Sequence, residues 1–276
     1  MAKAEPTTRK LEISIPNINF QRVLVVALIV MAFAIGMLYQ KVQVLQGGNT
    51  VANNATPSTA QQPAATNVTI DQIKGLWNKD LVKFGDASRK VLFVEIGDPS
   101  CPYCHAATGE NHTIYSALGG SSFKLVADGG SYVAPITEMR KLVDNNQASF
   151  VYVYYPGHGN GEMGMKAMYC ANEKGKFWAA HDLLMSSSGY DLMNTTIKND
   201  KTQSQALANF LKNAVDASFL KSCLDSGKYD ARLASDMAVA GNLNVRGTPG
   251  FFVNATSYPG AYAWSDIKST VDAALK

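Results

Sequence analysis

The sequence predicts an α/β protein, in which a block of helices interrupts a sheet and one transmembrane helix precedes it. Three observations support this prediction. An uncharged apolar run, VLVVALIVMAFAIGMLY, occupies residues 23–39. Strand-like apolar runs occur at Val91–Ile96 and Ala148–Tyr155, with helical patterns between them. From about 162 to 240 almost every segment has helical periodicity, and strand character returns at Gly247–Val253.

The apolar run predicts a membrane anchor over residues 23–40. At the helical rise it spans roughly 26 Å, which is enough to cross a bilayer. The alternative is a cleaved secretory signal, but its apolar region is normally shorter, about 7–15 residues. Basic residues cluster in the tail, 1–22, and only Lys41 follows the run before Lys74. We therefore expect a single-pass protein of the cell membrane with a cytoplasmic N-terminal tail and the bulk of the chain outside.

Residues 41–70 predict a flexible linker. From Val42 to Ile70 the chain carries no charge and is rich in Asn, Thr, Ala, Gln and Pro, so it cannot bury a core. The whole chain has a net charge of only +3, which gives no indication of a nucleic-acid-binding surface. All four cysteines lie on the side of the membrane where disulfides persist.

The folded part is predicted to cover residues 71–276. Its first strand is short and uniformly apolar, which is typical of a buried strand. The order strand, helices, strand implies a crossover with parallel pairing. The predicted elements are, in order, a helix at 71–85, a strand at 91–96, a helix from 101 to the Gly119-Gly120 break, a helix at 135–145, a strand at 148–155, the helical block at about 162–240, a strand at 247–253 and a closing helix at 264–275.

The motif Cys101-Pro102-Tyr103-Cys104 follows the first buried strand and opens a helical segment. Two thiols three positions apart at a helix start can close a small disulfide ring. Free N–H groups and the positive end of the helix dipole stabilise the thiolate of Cys101, which is therefore the predicted nucleophile. Cys104, one turn further on, would resolve a mixed disulfide with a substrate. A lowered pKa stabilises the reduced form and makes the disulfide oxidising.

Four separate stretches resemble the thioredoxin fold, and more closely the DsbA-type disulfide oxidoreductases, in which a helical domain interrupts the thioredoxin sheet. They are FVEIGDPSCPYC at 93–104, CANEKGKFWAAHDLLM at 170–185, CLDSGKY at 223–229 and NVRGTPGFFVN at 244–254. The resemblance covers about residues 71–276. It is interrupted by extra sequence between about Ser116 and Pro135, to which the sequence assigns no role.

The resemblance implies roles for residues outside the cysteine motif. Glu95 matches a buried acidic residue that helps to move the proton of the resolving cysteine, although a solvated or salt-bridged glutamate is the alternative. Thr248-Pro249 matches the family's loop in which a cis peptide bond directs the backbone of the preceding residue towards the substrate peptide. The alternative is an ordinary turn with a trans peptide bond. Pro102 and Tyr103 are expected to set the redox poise. His105 either tunes the thiols or is a partly exposed helix residue.

The other two cysteines, Cys170 and Cys223, fall in the helical block at stretches that resemble the family. The resemblance implies a structural disulfide between them, and two separate buried thiols are the alternative. Such a bridge would stabilise the fold by on the order of 4 kcal/mol in the chain-entropy model.

The predicted function is oxidation of client thiols outside the cytoplasm. The resemblance implies that the clients are reduced or misfolded secreted proteins and that a quinone-linked thiol oxidase in the membrane restores the disulfide. No cofactor or metal is expected. The alternatives with the same site are a disulfide isomerase and a reductase fed by a membrane electron donor, since the direction depends on potential and partners.

Four alternatives belong to other classes. Cys101 to His105 also reads CxxCH, the attachment signature of c-type haem. Residues 159–164 match GxGxxG after a strand, which is typical of dinucleotide sites, but no further βαβ unit follows. The four cysteines could ligate zinc if both pairs came together. A thioredoxin-like module that binds unfolded clients without redox turnover is the last alternative.

Overall fold

The computed structural model describes residues 68–276. The predicted tail (1–22) and anchor (23–40), and all but the end of the predicted linker (41–70), lie outside the described residues. Within the part that is described, no helix combines the length and the apolar character needed to span a membrane.

A five-stranded mixed sheet forms the centre of the fold. Its strands are β1 (Val82–Phe84), β2 (Val91–Gly97), β3 (Ala148–Tyr154), β4 (Gly250–Val253) and β5 (Thr256–Pro259). Their spatial order is β1-β3-β2-β4-β5. β2 and β3 pair in parallel, as the crossover predicts, and the remaining pairs are antiparallel. The central strand β2 is buried along its whole length and leads directly into the cysteine motif.

Eleven α-helices surround the sheet in the described chain. They are α1 (Ile70–Gly75), α2 (Pro102–Thr108), α3 (Ile114–Ala117), α4 (Pro135–Asp144), α5 (Glu162–Asn172), α6 (Phe177–Leu184), α7 (Ser187–Asp191), α8 (Ser204–Phe210), α9 (Ala217–Asp225), α10 (Asp230–Asn242) and α11 (Trp264–Leu275). A π-helical turn at Leu192–Ile197 joins α7 to the next part of the helical block. The block from α5 to α10 separates β3 from β4, which confirms the interrupted α/β fold.

The predicted first helix is too long. α1 ends at Gly75 and is followed by one 3₁₀ turn at Leu76–Asn78. Residues 82–84 then form β1, because Val82 pairs with Tyr152 of the central sheet and is fully buried. Pairing with a neighbouring strand here outweighs the helical spacing of Trp77 and Leu81.

Two other predicted boundaries also change. The helix predicted from Cys101 to the glycine pair stops at Gly109, whose φ of 79° is the left-handed conformation that ends helices. The last strand starts at Gly250 rather than Gly247, and it turns back as β5, which the sequence did not predict. The closing helix, α11, has the predicted bounds.

The two faces of the sheet bury different cores. Leu92, Val94 and Ile96 of β2 face a small core with α1 and α10. Phe93 faces the larger core, which contains α4, α11 and the helical block. Because side chains alternate along a strand, Glu95 points to the same side as Phe93. A carboxyl group is thereby placed inside the larger core, directly beneath the start of α2.

The helical block is covalently tied. Cys170 of α5 and Cys223 of α9 form a disulfide bond, as the resemblance implies. The bridge closes a loop with a sequence separation of 53 residues. In the chain-entropy model a loop of that length contributes about 4 kcal/mol to stability.

Candidate active site

The two cysteines of the motif lie at the start of α2, in the dithiol form. Cys101 is the N-cap residue, Pro102 takes the first helical position, and the amides of Cys104 and His105 donate to the Cys101 carbonyl at 3.0 and 3.2 Å. Proline suits this first position because its missing N–H would be unpaired there in any case. The two cysteines form a small buried cluster with Met185, and only 3 % of Cys101 is exposed.

The surroundings of the two thiols drive their pKa values apart. The Cys104 thiol donates to Cys101 and lowers the pKa of Cys101 to about 7, and Thr248 and the amide of Cys104 act in the same direction. Burial raises the pKa of Cys104 well above its usual value, and the neighbouring charges of Cys101, Asp98 and Glu95 add to this effect. One thiol is therefore ionisable near neutral pH, while the other holds its proton.

The loop before β4 closes over the nucleophile. The Thr248–Pro249 peptide bond is cis. The Cys101 thiol donates to the Thr248 carbonyl at 3.3 Å, and the Thr248 hydroxyl, which makes no other hydrogen bond among the described residues, is the group of Thr248 that lowers the pKa of Cys101. The pairing of α2 with this loop, which lie far apart in the sequence, places an unpaired hydroxyl next to the reactive sulfur. That hydroxyl can donate to a thiolate.

Glu95 lies in the larger core with no exposed surface, so the solvated or salt-bridged alternative is excluded. Neither carboxyl oxygen has a hydrogen-bond partner within residues 68–276. Burial raises the pKa of Glu95 to about 8, and Arg140 opposes this effect only in part. A carboxyl group that is still protonated at neutral pH can exchange a proton with the buried Cys104 thiol.

His105 is fully buried, which contradicts the partly exposed alternative. Its Nδ1 lies 2.8 Å from the Met185 carbonyl oxygen, and its Nε2 lies 2.9 Å from that of Pro99. Burial lowers the pKa of His105 to about 4. The ring is therefore neutral and donates to one of these carbonyls through its single N–H, and both nitrogens face the protein interior, so neither points to a haem iron in this arrangement.

Asp98, which the sequence indicates only as a turn residue beside Pro99, organises the loop before the motif. Its Oδ1 accepts from the amide and hydroxyl of Ser100 at 2.8 and 2.7 Å, and its Oδ2 accepts from the His158 amide at 2.7 Å. A side chain at Gly161 would overlap with this carboxylate. The GxGxxG stretch thus uses a glycine to approach Asp98, not to hold a phosphate. An aspartate two residues before Ser100 is the only signal in the sequence.

The insertion between Ser116 and Pro135 contacts the active-site dipeptide. The rings of Tyr103 and Phe123 meet edge to face with centroids 5.5 Å apart, and Phe123 packs on Tyr132 at 5.4 Å. The Tyr132 hydroxyl donates to carbonyls just before α11. The insertion thereby supports Tyr103, whose side chain remains substantially exposed beside Cys101.

The second cysteine pair does not join the site. Cys170 and Cys223 are bonded to each other within the helical block, so the zinc site of four cysteines that the sequence left open does not form. Among the described residues the one cluster with metal-ligand geometry is this pair with Glu173. Its sulfurs are held in the disulfide, and Glu173 is paired with Lys228 at 2.6 Å.

Comparisons with known proteins agree with this architecture. A thioredoxin family model matches residues 136–273, which is half of the chain. The Na(+)/H(+) antiporter NhaA 3 of Salinispora tropica is 25 % identical over 195 residues, a match that covers 69 % of this chain and 24 % of that protein. The chain therefore spans about a quarter of the length of the curated relatives it matches.

Among solved structures, α-DsbA1 of Wolbachia pipientis matches with a TM-score of 0.53 and 16 % identity, over 71 % of this chain and 91 % of that one. BdbD of Bacillus subtilis matches with a TM-score of 0.47 and 17 % identity, over 78 % of this chain and 99 % of that one. The first of these supports a common fold. The chain belongs to the thioredoxin family, and its fold is that of the DsbA-type thiol–disulfide oxidoreductases.

Proposed function

We propose that this protein introduces disulfide bonds into secreted client proteins through the Cys101–Cys104 pair. The observation that carries the proposal is the opposite shift of the two thiol pKa values at one helix start. A depressed pKa at Cys101 stabilises the reduced form at neutral pH, so the disulfide form tends to give up its bond to another dithiol. The buried carboxyl of Glu95 exchanges a proton with the second thiol, Cys104.

The proposed reaction transfers two electrons from a client dithiol to the protein. A client thiolate attacks Sγ of Cys101 in the disulfide, a mixed disulfide forms, and Cys104 leaves as a thiolate that takes a proton from Glu95. A second client thiolate then attacks the client sulfur of the mixed disulfide. Cys101 leaves as a thiolate, which its lowered pKa makes a good leaving group. The client is oxidised and the protein is reduced.

Thr248 and Pro249 are proposed to hold the client. The Thr248 carbonyl, which accepts from the resting thiol, points into the site where an extended client peptide would lie. A client strand that adds to this loop would present its cysteine to Cys101 through main-chain hydrogen bonds. The exposed ring of Tyr103 would contribute an apolar contact next to the reacting sulfur.

We further propose that the catalytic part is tethered outside the cytoplasm by residues 23–40. The uncharged apolar run at 23–39 supports this, as does the basic tail before it. A quinone-linked thiol oxidase in the same membrane would then accept the two electrons and restore the Cys101–Cys104 disulfide. Fractionation and protease protection of the full chain test the tether and its orientation.

A reduction potential decides between oxidation and the reverse reactions. The full chain is equilibrated in glutathione buffers of known ratio, and the fraction of Cys101–Cys104 disulfide is measured. We expect a value near −120 mV, typical of an oxidant, whereas a value near −270 mV would indicate a reductase. The absence of a reversible two-electron couple at this pair would refute the redox function altogether.

A matched pair of variants separates redox turnover from simple client binding. Cys101→Ala is expected to abolish oxidation of a reduced peptide, because no sulfur remains for the client to attack. His158→Ala, in the loop beside the site, keeps both thiols and is expected to retain turnover. If the wild-type chain and both variants bind an unfolded client equally well but none oxidises the peptide, the non-redox binding module is the better interpretation.

A further inference from the structure

Glu95 has no direct route to solvent, although its proposed role requires one. The carboxyl group gives a proton to Cys104 when the disulfide opens and must then take another from solvent, and the reverse transfers follow when the disulfide closes. Its side chain has no exposed surface, and Cys104 has none. A client bound over Cys101 would cover the site further, so a proton exchanged with solvent has to pass through the interior of the protein.

A second partnerless polar group lies beside Glu95. Tyr152 of β3 is the parallel partner of Glu95, and its buried hydroxyl has no hydrogen-bond partner in the described chain. A methyl group on Gly97 would overlap with this hydroxyl and would lie 3.0 Å from Oε1 of Glu95. The hydroxyl and the carboxyl thus flank one point, and glycine at 97 leaves them room.

A third partnerless group continues from Tyr152. The ring of His181, on α6, meets the Tyr152 ring edge to face with centroids 6.3 Å apart. His181 is fully buried, and its Nε2 has no partner within residues 68–276. Nδ1 lies 2.9 Å from Oδ1 of Asp182. Because a carboxylate only accepts, Nδ1 carries the proton and Nε2 presents a lone pair to the interior.

The row of buried groups formed by Glu95, Tyr152 and His181 reaches the protein surface at Asp182. Asp182 also accepts from Arg140 of α4 at 2.7 Å, and the two side chains are 30 % and 27 % exposed. The guanidinium lies over the Trp178 ring at 4.3 Å, which fixes its position. Partnerless buried polar atoms are rare in proteins and mark places where water or a functional contact is needed. Here such atoms are grouped between a buried acid and the solvent.

We propose that Tyr152 and His181, held by Asp182, form the proton path between Glu95 and solvent, with buried water bridging the groups. The inference rests on the proposed function. Neither residue touches the client or the sulfurs, so both are positioning residues. In the dithiol form Nδ1 of His181 carries the proton, so closing the disulfide moves a proton from Glu95 through Tyr152 to Nε2, while Nδ1 releases its proton at the Asp182 end and Glu95 takes the proton of Cys104. Opening the disulfide reverses each of these transfers.

The charged and titratable groups around His181 come from each element packed on it. Asp182 lies on its own helix, Arg140 on α4, His105 on α2 and Tyr152 on β3. Burial lowers the pKa of His181, so the ring is neutral at neutral pH and free to accept a proton. The positive charge of Arg140 acts in the same direction, and it also reaches Glu95.

The test is a single-turnover measurement on the full chain. The disulfide form is mixed with a reduced dithiol peptide, and the opening rate is followed from pH 5 to 9. His181→Asn keeps a donor to Asp182 but cannot carry the proton. We expect it to slow opening about 10- to 100-fold, with an altered pH profile and partial rescue by added imidazole, while the reduction potential stays unchanged.

The surface offers a matched control. His112 forms the same kind of pair with Asp128, at 2.9 Å, but its side chain is exposed and it is not one of the buried groups of the proposed path. His112→Asn should leave the rate and the pH profile unchanged. An unchanged rate in His181→Asn would overturn the path. So would a slower rate that keeps the wild-type pH profile or comes with a shifted potential, because a structural or electrostatic role produces that pattern.

A second pair of variants protects the test against misfolding at His181. Tyr152→Phe removes one hydroxyl, and Tyr258→Phe removes another from the same sheet, where it contacts Thr270 at 2.5 Å. We expect only the first to slow opening, and the double variant with His181→Asn to be no slower than the slower single variant. Additive effects would overturn a shared path. A wild-type chain without any redox couple would instead refute the proposed function, before either variant is measured.

Discussion

The pKa values of three ionisable side chains in the site no longer follow their usual order, in which a glutamate ionises well below a cysteine. Cys101 falls to about 7, Glu95 rises to about 8, and Cys104 rises beyond its usual value. The causes are local: a thiol that donates to its neighbour, and burial of the other two groups. Cys101 is therefore the reactive thiol, Cys104 keeps its proton until the disulfide closes, and Glu95 is an acid that still holds a proton at neutral pH.

The hydrogen bond from Cys104 is the largest cause of the lowered pKa of Cys101. Cys104→Ala removes the donor, so we expect the pKa of Cys101 to move from about 7 back towards 9. Cys104→Ser is the matched control, because a hydroxyl still donates and should keep the pKa low. The pH dependence of iodoacetamide alkylation measures both. Equal pKa values in the two variants would contradict the assigned cause.

Glu95 should make the protein less stable as the pH rises. The folded state keeps the proton up to about pH 8, whereas the unfolded chain loses it near 4.5. Between these values the unfolded state binds fewer protons, so the free energy of unfolding falls by at most about 1.4 kcal/mol per pH unit. Glu95→Gln should remove this slope, and the control Glu138→Gln, at a partly exposed carboxyl paired with Lys141, should not. Urea unfolding of the disulfide form, in which neither thiol titrates, provides the measurement.

Among the helices and strands, the sequence pattern predicted those elements whose formation depends mainly on residues near one another in the chain. The strands at β2 and β3, their parallel pairing and the bounds of α11 follow from apolar runs and helical spacing. The sequence pattern did not predict β1 and β5, because each is a short strand that forms only by pairing with a neighbouring strand. Tertiary contacts of this kind override a weak local preference.

The residues of the candidate active site also divide into those that depend on nearby sequence and those that depend on distant contacts. The nucleophile Cys101 could be predicted because its chemistry depends on a helix start a few residues away. Glu95, Thr248 and the disulfide in the helical block came from resemblance to a family. The burial of His105 depends on a carbonyl 80 residues further along the chain, and the residues after Cys104 carry no signal of it.

Two loops must pack closely for Thr248 to reach Cys101. A side chain on Gly157, just after β3, would overlap with the Thr248 hydroxyl. Gly157→Ala should therefore displace the cis-proline loop, raise the pKa of Cys101 and lower the rate of peptide oxidation about tenfold or more. Gly247→Ala adds a methyl group to the same loop in open space and is the control. Equal rates in the two variants would show that the Thr248 contact is dispensable.

The whole molecule combines a rigid sheet with an electrostatically poised helix start. The two cores hold β2, which carries Glu95, and the cis-proline loop contacts the start of α2 at Cys101. The poise of the Cys101–Cys104 pair is thereby linked to the stability of the entire fold. Whatever favours the thiolate in the folded state also favours the folded state when the pair is reduced.

The reduced and disulfide forms should consequently differ in how their stability depends on pH. The pKa of Cys101 is about 7 when folded and 9.0 otherwise, so its contribution is complete above 9 and is lost as the pH falls through 7. Glu95 is present in both forms, and its effect largely cancels in the difference. Cys104 ionises only well above 9.0 in the folded state, so it opposes the trend only above that pH. From pH 6.5 to 9 we expect the reduced form to gain on the order of 2 kcal/mol over the disulfide form. Urea unfolding of both forms measures this, with reduced Cys101→Ser as the control that should show no such gain. Parallel pH profiles for the two wild-type forms would mean that the Cys101 thiolate is not stabilised by the fold, and the oxidising direction of the reaction would lose its physical basis.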